Sequence, residues 1–239
     1  PNEYTVTLDA QKGTVTPATI NVTYDAAYGT LPTPTRTGYS FQGWYTESSG
    51  GSEITGSSKV TITADQTLYA RWTSNEYTVT FDAQKGTVTP KSKKVSYGIQ
   101  YGSLPTPKRA GYRFVGWYTK SSGGSKITDS KNVTITADQT LYARWKKVSV
   151  GKASIRRLKN KSSKKAVLTI KKVSGASGYQ VIYAKNKKFK KINVTKTKGT
   201  LKKLTKGKTW YVKVRAYKKD SAGKKVYGKY SSVKHIKKR

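Results

Sequence analysis

The chain has no cysteine, one histidine and, across residues 149–239, a single carboxylate. Without cysteine there can be no disulfide staple, thiolate metal site or cysteine nucleophile. The lone histidine, His235, stands in Val233-Lys234-His235-Ile236 near the end of the chain and reads as an ordinary strand residue with no catalytic role. With Asp220 as its one acid, the last third of the chain cannot assemble a carboxylate pair for acid–base work. That same acid would also be the only carboxylate available to a Lys–Asn cross-link there. Neither clustered histidines nor an Asp-rich loop is present, so no metal site and no cofactor are expected. No apolar run approaches the roughly 20 residues needed to span a bilayer. No charged-then-apolar leader opens the sequence, so a signal peptide is expected to be removed or to lie upstream.

What remains is a strand-forming alphabet. Eighteen tyrosines and five tryptophans accompany abundant Thr and Val, and alternation dominates over any helical stripe. The strongest feature is an internal repeat. A shift of 73 residues aligns the chain on itself without a gap, and 51 of the 73 paired positions are identical. Glu3-Tyr4-Thr5-Val6-Thr7 recurs from Glu76, Gly43-Trp44-Tyr45-Thr46 from Gly116, and the closing run Ala64 to Trp72 from Ala137 to Trp145.

Within a unit, Tyr4 to Leu8 and Ile20 to Tyr24 read as half-buried strands, with a turn at Gly13. Leu31-Pro32-Thr33-Pro34 cannot join a central ladder, because proline lacks a donor, so it reads as an extended connector. Tyr39 to Tyr45 is a further strand with Gly43 at a bulge. Val60-Thr61-Ile62 and Leu68 to Trp72 flank a turn. The repeated carboxylates Asp9/Asp82 and Asp65/Asp138 read as turn caps. Trp44, Trp72, Trp117 and Trp145 read as core, because units of ~73 residues bury little apolar area without large rings.

The spaced pattern Tyr-x-Val-x-Phe/Leu-x-Ala-x-x-Gly, Leu-Pro-x-Pro-x-Arg-x-Gly-Tyr-x-Phe-x-Gly-Trp-Tyr and Thr-Leu-Tyr-Ala-x-Trp resembles the Listeria–Bacteroides repeat, also known as the internalin B repeat. The resemblance covers residues 3–148. It implies a small β-grasp-like fold, a place in extracellular bacterial proteins between other modules, and no catalysis.

Beyond Trp145 the composition changes. Ala166 to Ile170, Tyr179 to Tyr183 and Trp210 to Tyr217 read as strands, Ser174 to Gly178 as a turn, and Lys224 to Ser231 as the opening of a last strand. Gly-Ala-Ser-Gly-Tyr-x-Val and Val-x-Val-x-Ala-Tyr resemble a fibronectin type III domain over residues 150–239. Ile170 stands where that family has its strand-B tryptophan. Trp210 stands where it has the corner tyrosine, and its indole N–H is expected to replace the corner hydrogen bond. The fold class is therefore mainly β: two β-grasp-like repeats in tandem over 1–75 and 76–148, and a C-terminal β-sandwich over 149–239.

Charge rises along the chain. Residues 3–75 carry 4 basic and 6 acidic side chains, residues 76–148 carry 13 and 4, and residues 149–239 carry 31 and 1. Where the repeats differ, the second gains cations: Ala18 pairs with Lys91, Ile20 with Lys93, Asn21 with Lys94, Thr35 with Lys108, Ser40 with Arg113, Glu47 with Lys120 and Glu53 with Lys126. Such a surface attracts polyanions through counter-ion release. The expected binding residues are Lys164, Lys165, Lys171, Lys172, Lys187, Lys188, Lys190, Lys191, Lys202, Lys203, Lys218, Lys219, Lys224 and Lys225, with Lys91, Lys93 and Lys94 in the second repeat. Lysine outnumbers arginine 27 to 4 in the last region. That preference favours diffuse adhesion over geometric recognition, and no nucleic-acid-reading motif accompanies it.

The expected partner is thus an anionic polysaccharide or teichoic acid, or else a host glycan or surface protein, met outside the cell. No sortase-type Leu-Pro-x-Thr-Gly motif appears. Two other classes stay open: a purely structural stalk, and an ancillary module of a larger secreted enzyme or adhesin.

Overall fold

The structure is a computed structural model and describes residues 1–186 and 189–238. In the first repeat, β1 (Glu3–Asp9), β2 (Thr19–Thr23), β3 (Tyr39–Tyr45), β4 (Glu53–Ile54) and β5 (Gln66–Ser74) form one sheet in the order β2-β1-β5-β3-β4. β1 and β5 run parallel at its centre and the other pairs are antiparallel. The second repeat reproduces this with β6 (Glu76–Asp82), β7 (Ser92–Ser96), β8 (Tyr112–Tyr118), β9 (Lys126–Ile127) and β10 (Gln139–Lys147), in the order β7-β6-β10-β8-β9. Both sheets are β-grasp-like.

Alternation sets the inward face. Val6 and Leu8 of β1, Val22 of β2, and Leu68 and Ala70 of β5 close on Trp44 and Val60. Trp44 is 2% exposed, and its Nε1–H donates to the Pro32 carbonyl at 2.9 Å; Trp117 donates to Pro105 at 2.8 Å. The proline connector therefore serves the core through its carbonyl, the one backbone group that proline keeps. Trp72 and Trp145 are half-buried and donate to the Ala10 and Ala83 carbonyls, each at 2.9 Å. Arg36 stacks on Tyr39, 3.8 Å from the ring centre, and donates to the Gln11 carbonyl at 3.2 Å. Arg109 repeats both contacts with Tyr112 and Gln84. Burial pushes the Tyr28 and Tyr101 hydroxyls above the usual phenol range, and each donates to a glutamine, Gln66 or Gln139.

The bulge falls where the glycine pattern places it, between Phe41 and Gly43, with Gly43 at φ 147°. Val60 to Ile62 joins no strand of the sheet; Val60 exchanges backbone hydrogen bonds with Asp25 and Ala26, and its neighbour Lys59 makes an isolated bridge to Ala27. The carboxylates divide. Asp9 caps its own turn by accepting the Gln11 N–H at 2.8 Å. Asp65 and Asp138 do not cap their turns; they accept the Thr5 and Thr78 N–H groups, sixty residues away. The chain reversal before β5 sets them beside these half-paired strand donors, which a local turn rule does not register.

From residue 154 onwards, eight strands form a sandwich: β11 (Ser154–Ser162), β12 (Lys165–Lys171), β13 (Gly178–Ala184), β14 (Lys190–Val194), β15 (Lys198–Leu201), β16 (Thr209–Lys219), β17 (Lys225–Tyr227) and β18 (Lys234–Lys237). One sheet runs β11-β12-β15 and the other β14-β13-β16-β17, with β18 pairing β16. This two-sheet arrangement, three strands facing five among the described residues, is fibronectin type III-like. Ile170, 2% exposed, fills the strand-B core position beside Leu168, Val181, Leu201, Val212 and Val214. The corner bond is not made: Trp210 Nε1 is buried and has no partner among the described residues. A phenol carries its hydroxyl at the far end of the ring, whereas an indole N–H sits on the flank, here enclosed by core.

Lys238 is a buried cation, 1% exposed. Its Nζ donates to Asn160 Oδ1 at 2.7 Å and to the Ser162 and Lys165 carbonyls at 2.6 and 2.9 Å, so all three ammonium protons have acceptors. A covalent Lys–Asn link would need a carboxylate beside the pair. The sandwich's one acid, Asp220, is engaged elsewhere, so the contact is a hydrogen-bonded latch.

The chain divides into two compact units, Pro1–Asp82 with Pro90–Pro105 and Trp117–Tyr142, and Ala83–Thr89 with Thr106–Gly116 and Ala143–Arg239. Inside the first, Asn75 N–H donates to the Gly38 carbonyl, Ser40 Oγ donates to Asn75 Oδ1 at 2.7 Å, and Tyr39 meets Tyr97 edge-on. Gly38 has φ 78°, and any Cβ there would run into the Tyr97 ring. Inside the second, the turn after β16 plugs into the segment equivalent to Arg36–Ser40. Asp220 Oδ2 accepts the Gly111 N–H at 2.7 Å, while Ser221 Oγ accepts from Arg109 N–H at 2.8 Å and donates to the Arg109 carbonyl at 3.0 Å. Ser221 N–H donates to the Tyr112 carbonyl at 2.9 Å. The Arg-x-Gly-Tyr segment is thus where the following module attaches in both units.

Candidate polyanion-binding surface

Asp220 is 8% exposed and accepts three backbone N–H groups, from Gly111, Ala222 and Lys224. The sandwich region has no other acidic side chain. Every exposed ionised side chain of residues 149–238 is therefore a cation.

The expected lysine pairs sit at strand ends and turns. Lys164 and Lys165 lie at the β11–β12 turn, Lys171 and Lys172 leave β12, Lys202 and Lys203 follow β15, Lys218 and Lys219 end β16, and Lys224 and Lys225 open β17. Lys190 and Lys191 lie on edge strand β14. Lys190 Nζ donates to the Lys203 carbonyl at 3.2 Å and stands 5.3 Å from the Trp210 ring centre. Lys187 and Lys188 lie outside the described residues. In the second repeat, Lys91 is exposed before β7, while its two neighbours on β7 are engaged. Lys93 Nζ donates to the Tyr101 carbonyl at 2.6 Å, and Lys94 pairs with Glu76 at 3.4 Å.

The sheet faces are cationic too. Arg157, Lys159, Lys165, Lys171 and Lys198 stand at alternate, outward positions of the β11-β12-β15 sheet. On the opposite sheet, Arg215 stacks 3.8 Å from the Tyr227 centre and 4.6 Å from that of Tyr230, and donates to Gln180 Oε1 at 2.9 Å. Lys213 lies 4.6 Å from the Tyr230 ring and Lys225 4.7 Å from that of Tyr217. These contacts hold long side chains against aromatic surface with their charge outward. A strand cannot point two successive lysines the same way, so a Lys-Lys pair contributes at most one side chain to a sheet face. The face-building signal is the period-two spacing of Arg157-Leu158-Lys159 and Lys213-Val214-Arg215, which a search for paired lysines passes over.

His235 is exposed on β18, with its ring 6.3 Å from that of Tyr211. Among the described residues no three His, Asp or Glu side chains gather as a metal site. Among the described residues no helix is long and apolar enough to cross a membrane.

The Listeria–Bacteroides repeat domain matches residues 4–71 and 77–144, more than half of the chain. The chain belongs to that family. Internalin H of Listeria monocytogenes serovar 1/2a is 37% identical over 114 residues, which are 48% of this chain and 20% of that protein. A putative membrane protein of Evansella cellulosilytica is 29% identical over 144 residues, 60% of this chain and 21% of that protein. The matches thus span about a fifth of either relative. Among solved structures, the sixth fibronectin type III domain of human fibronectin type III domain containing protein 3 aligns with 39% of this chain and 89% of its own, at 13% identity and a TM-score of 0.32. The FN1–FN3 domains of chicken CNTN1 align with 77% and 74%, at 12% identity and a TM-score of 0.34.

Proposed function

We propose that this chain is a non-enzymatic segment of an extracellular bacterial surface protein, built of modules 1–75, 76–148 and 149–239. The two repeats act as a spacer, and the lysine-rich sandwich adheres electrostatically to an anionic polymer, either cell-wall teichoic acid or a host glycosaminoglycan or mucin. The observation that carries this reading is the acid-free surface of the sandwich: its one carboxylate is buried in backbone hydrogen bonds. A purely solvated module gains solubility from net charge but loses stability to self-repulsion, so a surface wholly of one sign favours a binding role. The internalin relative, and the repeat family's place in surface proteins, support an extracellular setting.

The test is retention of the full chain on immobilised wall teichoic acid and on heparin across a salt series. Adhesion through six to ten anionic groups loses about 10³–10⁵ in affinity between 50 and 200 mM salt. Steep salt-dependent retention, reduced by Lys→Gln changes on the sandwich, supports the reading, and the tighter matrix identifies the polymer class. A chain that passes both columns at low salt is a stalk or an ancillary module instead.

A further inference from the structure

Beside the Asp220–Ser221 plug, and wholly within the second compact unit, lies an open cleft of about 490 Å³. Five cations line it: Arg113 of β8, Lys146 and Lys147 of β10, and Lys218 and Lys219 at the end of β16. No carboxylate does. None of the five makes an ion pair or donates a side-chain hydrogen bond among the described residues. The adjacent acid, Asp220, already accepts three N–H groups. Two hydroxyls, of Ser149 and Ser177, complete the polar wall. Ser177 Oγ accepts the Lys219 N–H at 3.2 Å, which leaves its own proton to donate outward. Lys218 lies along Gly175, where an added Cβ would sit 3.3 Å from its Cε and Nζ.

The repeat supplies an internal control. In the first repeat Ser40 lies directly opposite Thr73 on the neighbouring strand, with Ser74 next in line. Seventy-three residues on, the same three positions are Arg113, Lys146 and Lys147. Hydroxyls at one module junction have all become cations at the next. Like charges directly opposed across two strands are destabilising, and a drift of charge on an open surface would not gather them in a concavity that two further lysines close.

We infer that this cleft binds a tetrahedral oxyanion, the phosphate or sulfate group of an anionic polymer, with the Arg113 fork and the lysine ammoniums as donors. The inference rests on the polyanion reading above and gives that diffuse adhesion one defined seat.

The experiment is a titration of the full-length, isotope-labelled chain with inorganic phosphate and, separately, with sulfate, followed by amide chemical shifts at 150 mM salt. Saturable shifts are expected at residues 113, 146–149, 175–177 and 218–219. The variant Arg113→Ser/Lys146→Thr/Lys147→Ser, which installs the first repeat's residues on the same strands, is expected to weaken binding at least tenfold. Lys164→Ser/Lys202→Ser/Lys206→Ser removes equal charge elsewhere on the sandwich and is expected to stay within twofold. Non-saturating shifts in the wild type, or equal weakening by the two triples, overturns the inference. Stronger binding of phosphate points to a phosphodiester polymer, and of sulfate to a sulfated glycan. The heparin and teichoic acid columns separate the two readings. Retention without saturable binding removes the cleft and leaves the adhesive surface, whereas saturable binding without retention removes the adhesive surface.

Discussion

Asp220→Ala removes the carboxylate that fixes the sandwich to the end of the second repeat. Its Oδ2 accepts the Gly111 N–H at 2.7 Å, and its Oδ1 accepts Ala222 and Lys224, both at 2.9 Å. Ala222 and Lys224 are exposed, so water replaces the lost acceptor there, whereas the Gly111 donor is half-buried. A hydrogen bond to a charged acceptor contributes about 1.5–3 kcal/mol. The Gly111 bond, with a smaller part from the turn, therefore sets an expected loss of about 2–3 kcal/mol in local opening, or about 30- to 150-fold faster exchange of the Gly111 amide. Asp220→Asn discriminates further. Its amide oxygen can keep the turn, but its NH₂ then faces the Gly111 N–H, donor against donor, so most of the loss recurs. Amide exchange of the full chain, residue by residue, is the assay. Unchanged protection at Gly111 in both variants would refute the reasoning, and so would a loss of equal size throughout β13, which would mean global destabilisation.

The same carboxylate sets a pH dependence. Burial by itself raises its pKa, but the Gly111, Lys224 and Ala222 N–H groups and the Lys224 charge outweigh burial and hold it below the ordinary 3.8. A group depressed in the folded state contributes its stability above the unfolded pKa and loses it as pH falls through the folded one. Gly111 protection in the wild type is thus expected to be flat through neutral pH. It should fall to the Asp220→Ala level only as pH drops below 3.8.

Two tryptophans offer an internal comparison. Trp44→Phe strands the Pro32 carbonyl and is expected to cost about 2–3 kcal/mol, while Trp210→Phe removes an orphaned N–H and is expected to stay within about 1 kcal/mol. Urea unfolding followed by circular dichroism checks both, and equal costs would mean that the Trp210 N–H has a partner. For the Lys238 latch, Lys238→Met and Asn160→Leu are each expected to cost about 1.5–3 kcal/mol, and the double variant less than their sum; strict additivity would show that the two do not act together. In Gly86→Ala the new Cβ would lie 2.8 Å from both the Lys108 oxygen and the Trp145 ring. An overpacking loss of about 1–3 kcal/mol is expected in a thermal melt.

Much of the fold could be read from residue order alone. Alternation placed β1, β3, β12, β13 and β16, and the glycine in Phe41-Gln42-Gly43 marked the bulge, because these signals depend on a residue and its near neighbours. The strands left unread were β4 and its counterpart β9, and β11, β14, β15 and β18. β4 has two residues, and β11 is so basic that Ile155 and Leu158 are its only large apolar side chains. β14, β15 and β18 are short, lysine-bearing strands whose existence depends on a partner already in place. Contacts that cross many residues were equally invisible. Asp65 reaches Thr5 sixty positions away, and Lys238 reaches Asn160 seventy-eight positions away.

The single acid of the sandwich and its excess of lysine have one explanation between them. A module that supplies the acidic side of ion pairs to its neighbour carries exposed carboxylates, and those would weaken its attraction for a polyanion. This sandwich joins the second repeat through backbone N–H groups instead, offering them one carboxylate and one hydroxyl from the same turn. The acceptor charge is buried at the junction, and the remaining surface keeps one sign. Such a division predicts that acidic substitutions on the sheet faces, Lys213→Glu for instance, weaken retention on a polyanion while leaving the Gly111 amide protected. Asp220→Asn is expected to do the reverse, loosening the junction with the adhesive surface intact.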